Sequence, residues 1–344
     1  MLEIALRLFH FYDTYTESIG QGYKSYYNSS HGTWYLTYPA NHSFELNHGD
    51  FKYQYHTNSL GLRSAEFIMP TSDSVQRVFT LGDSFTEGVG APADSTWPAL
   101  LKADFVRQGK PFEIFNAGQS GADPFYEYTF LRDKLLKFKP DFVIVAINSS
   151  DFTDYLFRGG FERFKTDSTT SYRKGPWFEP LWQHCRVVRM FMQLVLKYDY
   201  GNLFISKNNQ KAEYTKASIG LIVACDSLNK LAQVNNARFA VVLHPGPTEV
   251  IYKIDTVGFG PWRWSFENFS NKIIGESFTS IDSALVSRNI PVVNLWNSFD
   301  TIITRKNWMQ YTYEHDKHYN SAGYRAMERL VMDGLNKRHY FEHQ

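Results

Sequence analysis

The stretch Arg77-Val-Phe-Thr-Leu-Gly-Asp-Ser-Phe-Thr-Glu-Gly88 decides how this chain folds. Arg77–Leu81 is a short apolar run closed by Gly82. A run of that length, ended by a turn residue, reads as a buried strand. Gly82 has no side chain to obstruct a sharp turn, so Ser84 stands at or near the start of a helix. Backbone N–H groups and the helix dipole favour negative charge at such a position. That suits a serine that must carry an acyl group through an oxyanion. Asp83 and Ser84 can equally serve as a plain helix cap, and spacing alone leaves both readings open. Asp83 is expected to stabilise the turn through its backbone.

Downstream, the pattern repeats with the same alternation. Ser95 caps a helix that Gly109 ends. Phe112–Phe115 is a second strand, and Asp123-Pro124 opens a helix running to about Phe138. Asp141-Phe-Val-Ile-Val-Ala-Ile147 is a third strand, apolar throughout, as strands covered on both faces are. A helical stretch from about Gln210 to Asn235 leads to a fourth strand, Phe239–Leu243. A helix ending near Arg288 precedes a fifth, Pro291–Leu295, and Asn320 caps a last helix to about Asn336. Strands alternating with helices predict an α/β fold with a parallel sheet and helices on both faces. Ligands in such folds bind at the carboxyl ends of the strands.

Two segments stand outside this rhythm. Residues 1–75 read as an N-terminal extension. It has helical apolar spacing that fades by about Thr16, then a Tyr-, Asn-, Ser-, His- and Gly-rich stretch with a short strand near Phe51–Tyr55. Asn58–Arg63 is an ordered turn before the main domain, residues 76–340. Residues 155–205 form an aromatic-rich insertion, with a helix over Leu181–Tyr198, that lies over the strand ends as a lid. A second aromatic cluster, Pro261-Trp-Arg-Trp-Ser-Phe266, follows the fourth strand.

Composition narrows the function. The 36 basic residues against 35 acidic ones give no electrostatic reason to expect nucleic acid. The 17% aromatic content reads first as core packing, second as a surface that stacks on sugars or acyl chains. Two cysteines, Cys185 and Cys225, suggest neither a disulfide framework nor a zinc site. No His, Cys or Glu spacing suggests a metal, no phosphate loop is present, and no cofactor is expected. No segment is long and apolar enough to span a bilayer. Membrane association is expected only through the apolar first residues, and the compartment is left open.

A serine needs a base, and the base needs a carboxylate to fix its tautomer. Asp316-Lys-His-Tyr-Asn-Ser-Ala-Gly-Tyr324 offers both just before the last helix. Among 11 histidines, one His–Asp pair means little by itself. His244, after the fourth strand, reads as a satisfied loop histidine. His315 reads as exposed, and Asp151 and Asp154 as turn or cap residues.

Taken together, these segments resemble the SGNH (GDSL-like) hydrolase family from about Val78 to Leu330. Gly82-Asp83-Ser84 resembles its first block, with Trp97-Pro-Ala-Leu-Leu101 following. Asn116-Ala-Gly-Gln-Ser-Gly121 resembles its second, and Asp316 with His318 its last. The resemblance implies a three-layer, flavodoxin-like fold with a five-stranded parallel sheet. It further implies Ser84 as nucleophile, His318 as base, Asp316 as its partner, and an oxyanion hole from the N–H groups of Ser84 and Gly121. The third block departs from the pattern Gly-x-Asn-Asp: Ser150 falls where the family has its oxyanion asparagine. Asn148 is taken as the donor, with Ser150 as the alternative. Asp316 and His318 are separated by one residue rather than two, which resembles the alginate O-acetyltransferase-like branch. The expected activity is hydrolysis of short-chain acyl esters, O-acetyl groups on carbohydrate first. An O-acyltransferase for a cell-surface polysaccharide and a non-catalytic glycan-binding protein are the alternatives.

Overall fold

The computed structural model describes residues 1–12, 37–69, 75–167, 169–171, 173, 175–198, 203–206, 208–254, 261–304, 306–314, 316 and 318–342, with backbone alone for 252–254 and 261–270. A short helix α1 (Leu2–Leu8) is followed by an antiparallel hairpin, β1 (Ser43–Asn47) and β2 (Lys52–His56), in register Ser43↔His56 to Asn47↔Lys52. Then come β3 (Gln76–Leu81), α2 (Ser84–Glu87), α3 (Trp97–Arg107), β4 (Phe112–Asn116), α4 (Pro124–Phe130) and β5 (Phe142–Ile147). The remainder is α5 (Ser150–Arg158), α6 (Glu179–His184), α7 (Arg186–Leu194), α8 (Gln210–Val234), β6 (Arg238–Leu243), α9 (Pro247–Ile254), α10 (Pro261–Val286), β7 (Val292–Asn294) and α11 (Ser321–Asn336).

The sheet is parallel, in the order β4-β3-β5-β6-β7. Alternate residues of each strand feed opposite faces. Phe79, Leu81, Val143, Val145, Phe239 and Val241 join one core with α4, α8 and α10. Val78, Ile144, Ala240 and Val242 join the other with α3 and α11. This is the three-layer, five-stranded α/β arrangement that the alternating pattern predicts.

Local chemistry sets the element ends. Asp123 accepts from the N–H groups of Phe125 and Tyr126, and Asn320 from those of Ala322 and Gly323, as their cap positions require. The cap of α3 is Thr96 rather than Ser95, because Ser95 is taken up in a preceding 3₁₀ turn. The helix expected over 181–198 is two helices: Cys185 is extended (φ −128°, ψ 112°) and breaks the run. The strand expected at Phe51–Tyr55 is β2, shifted by one residue. Helix α1 stops at Leu8, and Thr16 lies outside the described residues. The side chains of the cluster at 261–266 also lie outside them. No helix among the described residues is long and apolar enough to cross a membrane.

Candidate active site

Ser84 leads off α2 directly beyond the carboxyl end of β3. The turn needs glycine at 82: φ is +152°, and a Cβ there would stand 2.1 Å from Thr86 Oγ1. Asp83 holds the turn through its backbone, as read from the sequence, its carbonyl accepting from the N–H groups of Thr86 at 3.0 Å and Glu87 at 2.9 Å, and through its side chain as well. Its Oδ1 accepts from the Phe85 N–H at 2.9 Å, and its Oδ2 accepts from Asn148 Nδ2 at 2.6 Å and from the Ser150 hydroxyl at 3.3 Å. Asn148 and Ser150, one at the end of β5 and one opening α5, therefore converge on the residue preceding Ser84. The Asn148 Oδ1 also accepts the Ser150 N–H at 2.7 Å, so the whole strand end is tied to the serine turn.

His318 reaches Ser84 from the loop before α11, 234 positions away. Its Nε2 lies 3.0 Å from Ser84 Oγ, and its Nδ1 lies 2.5 Å from Asp316 Oδ1. With Asp316 ionised, Nδ1 carries the proton and Nε2 presents its lone pair to the serine hydroxyl. Burial works to raise the Asp316 pKa, but hydrogen bonds from His318 and His48 outweigh it and hold the carboxyl well below the usual carboxylate range. The ring of Phe85 flanks that of His318, with centroids 5.1 Å apart.

Gly121, expected as an oxyanion donor, closes the loop after β4 with φ +76°, a left-handed conformation that favours glycine. Its carbonyl accepts from Arg158 Nη1. Among the described residues, no protein acceptor pairs with the N–H of Ser84 or Gly121. The preceding residue is locked by Glu87: Oε2 accepts from the N–H of Ser120 at 2.6 Å and from its hydroxyl at 2.9 Å. Oε1 of the same carboxylate accepts from Tyr55 at 2.7 Å and Tyr38 at 3.2 Å. Sequence reasoning missed Glu87, since an acidic residue at the end of a short helix reads as surface, whereas this one is fully buried.

His244 is buried, and burial lowers its pKa. Its Nδ1 lies 3.1 Å from the Pro245 carbonyl, but Nε2 has no partner among the described residues, so it is only half satisfied. Asp151 accepts the Asn148 N–H at 2.9 Å, a cap-like role, and its pKa is raised by burial and by the carboxylates of Asp83 and Glu127. Asp154 pairs with Arg158 at 3.2 Å. Burial, with Asp123 and Asp83, pushes it up to about 7 against the pull of Arg158. His315 lies outside the described residues. Among those described, no group of His, Cys, Asp or Glu could hold a metal ion.

A family model described as GDSL-like lipase/acylhydrolase matches residues 80–326, from β3 through the His318 loop into α11. The chain belongs to the GDSL-like lipase/acylhydrolase family. It is an ester hydrolase of that type, and a serine nucleophile with an oxyanion hole follows from membership. Similar solved structures include the lipase/acylhydrolase from Enterococcus faecalis, 15% identical, covering 77% of this chain and 97% of that one, with a TM-score of 0.42. The lipase Lip_vut3 from goat rumen metagenome is 14% identical, covering 76% and 97%, with a TM-score of 0.44. The acetyl xylan esterase AlAXEase is 14% identical, covering 75% and 99%, with a TM-score of 0.40. A search of curated proteins returned no match.

Proposed function

We propose that this GDSL-like enzyme hydrolyses short-chain acyl esters through an acyl-serine on Ser84, with O-acetyl groups on carbohydrate as its substrate class. One observation carries the reading: the unbroken line from Ser84 Oγ to His318 Nε2 at 3.0 Å and from His318 Nδ1 to Asp316 Oδ1 at 2.5 Å. Ser84 Oγ attacks the ester carbonyl while His318 takes its proton. The same proton then goes to the departing alcohol oxygen. Water repeats the sequence on the acyl-serine, releasing the acid and restoring the hydroxyl. Asp316 fixes the ring and stabilises the imidazolium that forms in each half-reaction.

The oxyanion is received by the N–H groups of Ser84 and Gly121 and by Asn148. An amide carries two hydrogens, and Asp83 takes one of those on Asn148. The Ser150 hydroxyl carries one, and Asp83 takes it. Asn148 is therefore the better third donor. The carbohydrate preference is supported by Trp177, 87% exposed in the aromatic-rich segment 155–205, whose flat ring can stack on a sugar.

Hydrolysis of p-nitrophenyl acetate, lost in Ser84→Ala, is the expected result. Acetate release from acetylated xylan or a related glycan then tests the substrate class. Turnover that needs an added sugar acceptor would make the chain an acyltransferase. Glycan binding without turnover in the unaltered chain would make it a binding protein.

A further inference from the structure

One contact at the site plays no part in acyl transfer as described. His48, in the turn between β1 and β2, places Nδ1 3.0 Å from Asp316 Oδ2, across 268 positions of chain. Asp316 Oδ1 is already occupied by His318. The two oxygens of this carboxylate thus face two imidazoles, one 2 positions away in sequence and one 268 positions away. The side chains of His48 and Asp316 are 16% and 10% exposed, so water does little to substitute for either bond.

The turn is built to hold this histidine. The His48 N–H donates to the Phe51 carbonyl at 3.1 Å, and its ring stacks on that of Phe51, with centroids 5.0 Å apart and planes 14° from parallel. Phe51 in turn meets Tyr313 of the His318 loop at 4.9 Å. Asp50 Oδ2 accepts the Asp316 N–H at 2.9 Å, so the hairpin grips that residue by backbone and side chain together. The other end of the hairpin is anchored beside the nucleophile: Tyr55 donates to Glu87, and Arg63 donates to the carbonyls of Gly88 at 2.8 Å and Ala91 at 2.6 Å.

We propose that His48 is a positioning residue for acyl transfer: by donating from Nδ1 to Asp316 Oδ2, it holds the carboxylate in the one rotation that keeps Oδ1 on His318. This rests on the assignment of Ser84, His318 and Asp316 given above. A carboxylate held at one oxygen can swing away as the His318 ring gains and loses charge. One held at both keeps its orientation through each proton transfer, which is where geometry counts. Among the described residues, the titratable groups facing His48 and Asp316 include Asp50, His318, Tyr313 and Tyr53.

The test is steady-state hydrolysis of p-nitrophenyl acetate by the full chain and four variants. His48→Phe keeps a ring against Phe51 and removes the donor. His48→Asn keeps a donor near the Nδ1 position and removes the ring. His48→Leu matches asparagine in shape without donating, and replaces the phenylalanine variant in the comparison should that one not fold. A hydrogen bond to a charged group sets the scale, so the donor-less variants should lose roughly ten- to a hundredfold in kcat. KM should stay within about twofold, and His48→Asn should recover to within about threefold of wild type. Wild-type kcat in a folded donor-less variant overturns the proposal, as does an asparagine variant no better than the leucine one. Ser84→Ala separates the two levels: if it abolishes hydrolysis while the donor-less variants stay at wild type, only the role of His48 falls. If Ser84→Ala retains hydrolysis, the serine assignment falls and this proposal with it.

Discussion

Replacing Glu87 with alanine tests whether a buried carboxylate one helical turn from Ser84, bonded to none of the groups assigned to acyl transfer, holds the loop before Gly121 in place. Glu87 is fully buried and accepts from Tyr55, Tyr38 and both the N–H and hydroxyl of Ser120. The two shortest bonds, from Ser120 N at 2.6 Å and Tyr55 at 2.7 Å, carry most of the loss. A hydrogen bond to a charged group contributes about 1.5–3 kcal/mol. Two at the low end give about 3 kcal/mol, before any cavity cost. In a chain of 344 residues that lowers the melting temperature by about 4–5 °C. Activity should fall further than stability alone explains, because Ser120 adjoins Gly121, whose N–H we assign to the oxyanion. A partly displaced donor should lower kcat by roughly ten- to a hundredfold. Glu87→Gln should lie close to wild type, within about 1 kcal/mol. Its amide oxygen can accept from Ser120 N, and its amide hydrogens can meet the Tyr55 hydroxyl, which rotates to accept. Thermal unfolding by circular dichroism, read beside p-nitrophenyl acetate kinetics, decides the matter. An alanine variant melting within about 2 °C of wild type would refute the reasoning, as would a glutamine variant as damaged as the alanine one.

Three further outcomes are expected. Asp316→Asn should lower kcat by on the order of 10⁴-fold with a well-folded chain, because the amide permits the wrong His318 tautomer; stopped-flow or steady-state hydrolysis reads it. Asn148→Ala should cost roughly 10²-fold in kcat and Ser150→Ala within about fivefold; the reverse order would hand the third oxyanion position to the serine. Asp154, held at about 7 in the folded chain, binds a proton that the unfolded chain has lost above about 4. Its contribution to stability is therefore full below that value and is lost as pH rises through about 7. Unfolding free energies from urea titrations at pH 5 and pH 8 should differ more in wild type than in Asp154→Asn, by about 2–3 kcal/mol, and equal differences would contradict the assignment.

The sheet is legible in the sequence where burial is two-sided. β5 is a continuous apolar run and β3 and β6 are largely apolar because helices cover both faces, and Asp123 and Asn320 announce their helices by cap chemistry alone. β1 is not legible, since Ser43-Phe-Glu-Leu-Asn buries only Leu46 and takes its strand form from pairing with β2. The break at Cys185 is invisible too, because the residues on either side keep helical spacing. At the site, the Gly82-Asp83-Ser84 turn can be read from local chemistry, and the pairing of Ser84 with His318 only through family resemblance. The long-range grips on Glu87 and Asp316 span between 32 and 268 positions, as in Tyr55 to Glu87 and His48 to Asp316. No local periodicity encodes such separations, and His48 looks like any of the other histidines until the hairpin is folded.

That the β1–β2 turn and the His318 loop meet has a consequence for how this enzyme comes into being. The hairpin is synthesised before the Ser84 turn, and its counterpart follows 268 positions after the hairpin turn. During translation the Ser84 turn can fold while the base proposed for it, His318, is still unmade, so on that proposal a growing chain carries an inert serine. On the assignment proposed above, hydrolytic competence therefore arrives only when the His318 loop docks against segments made before it, and a product cut short between Ser84 and His318 is silent rather than promiscuous.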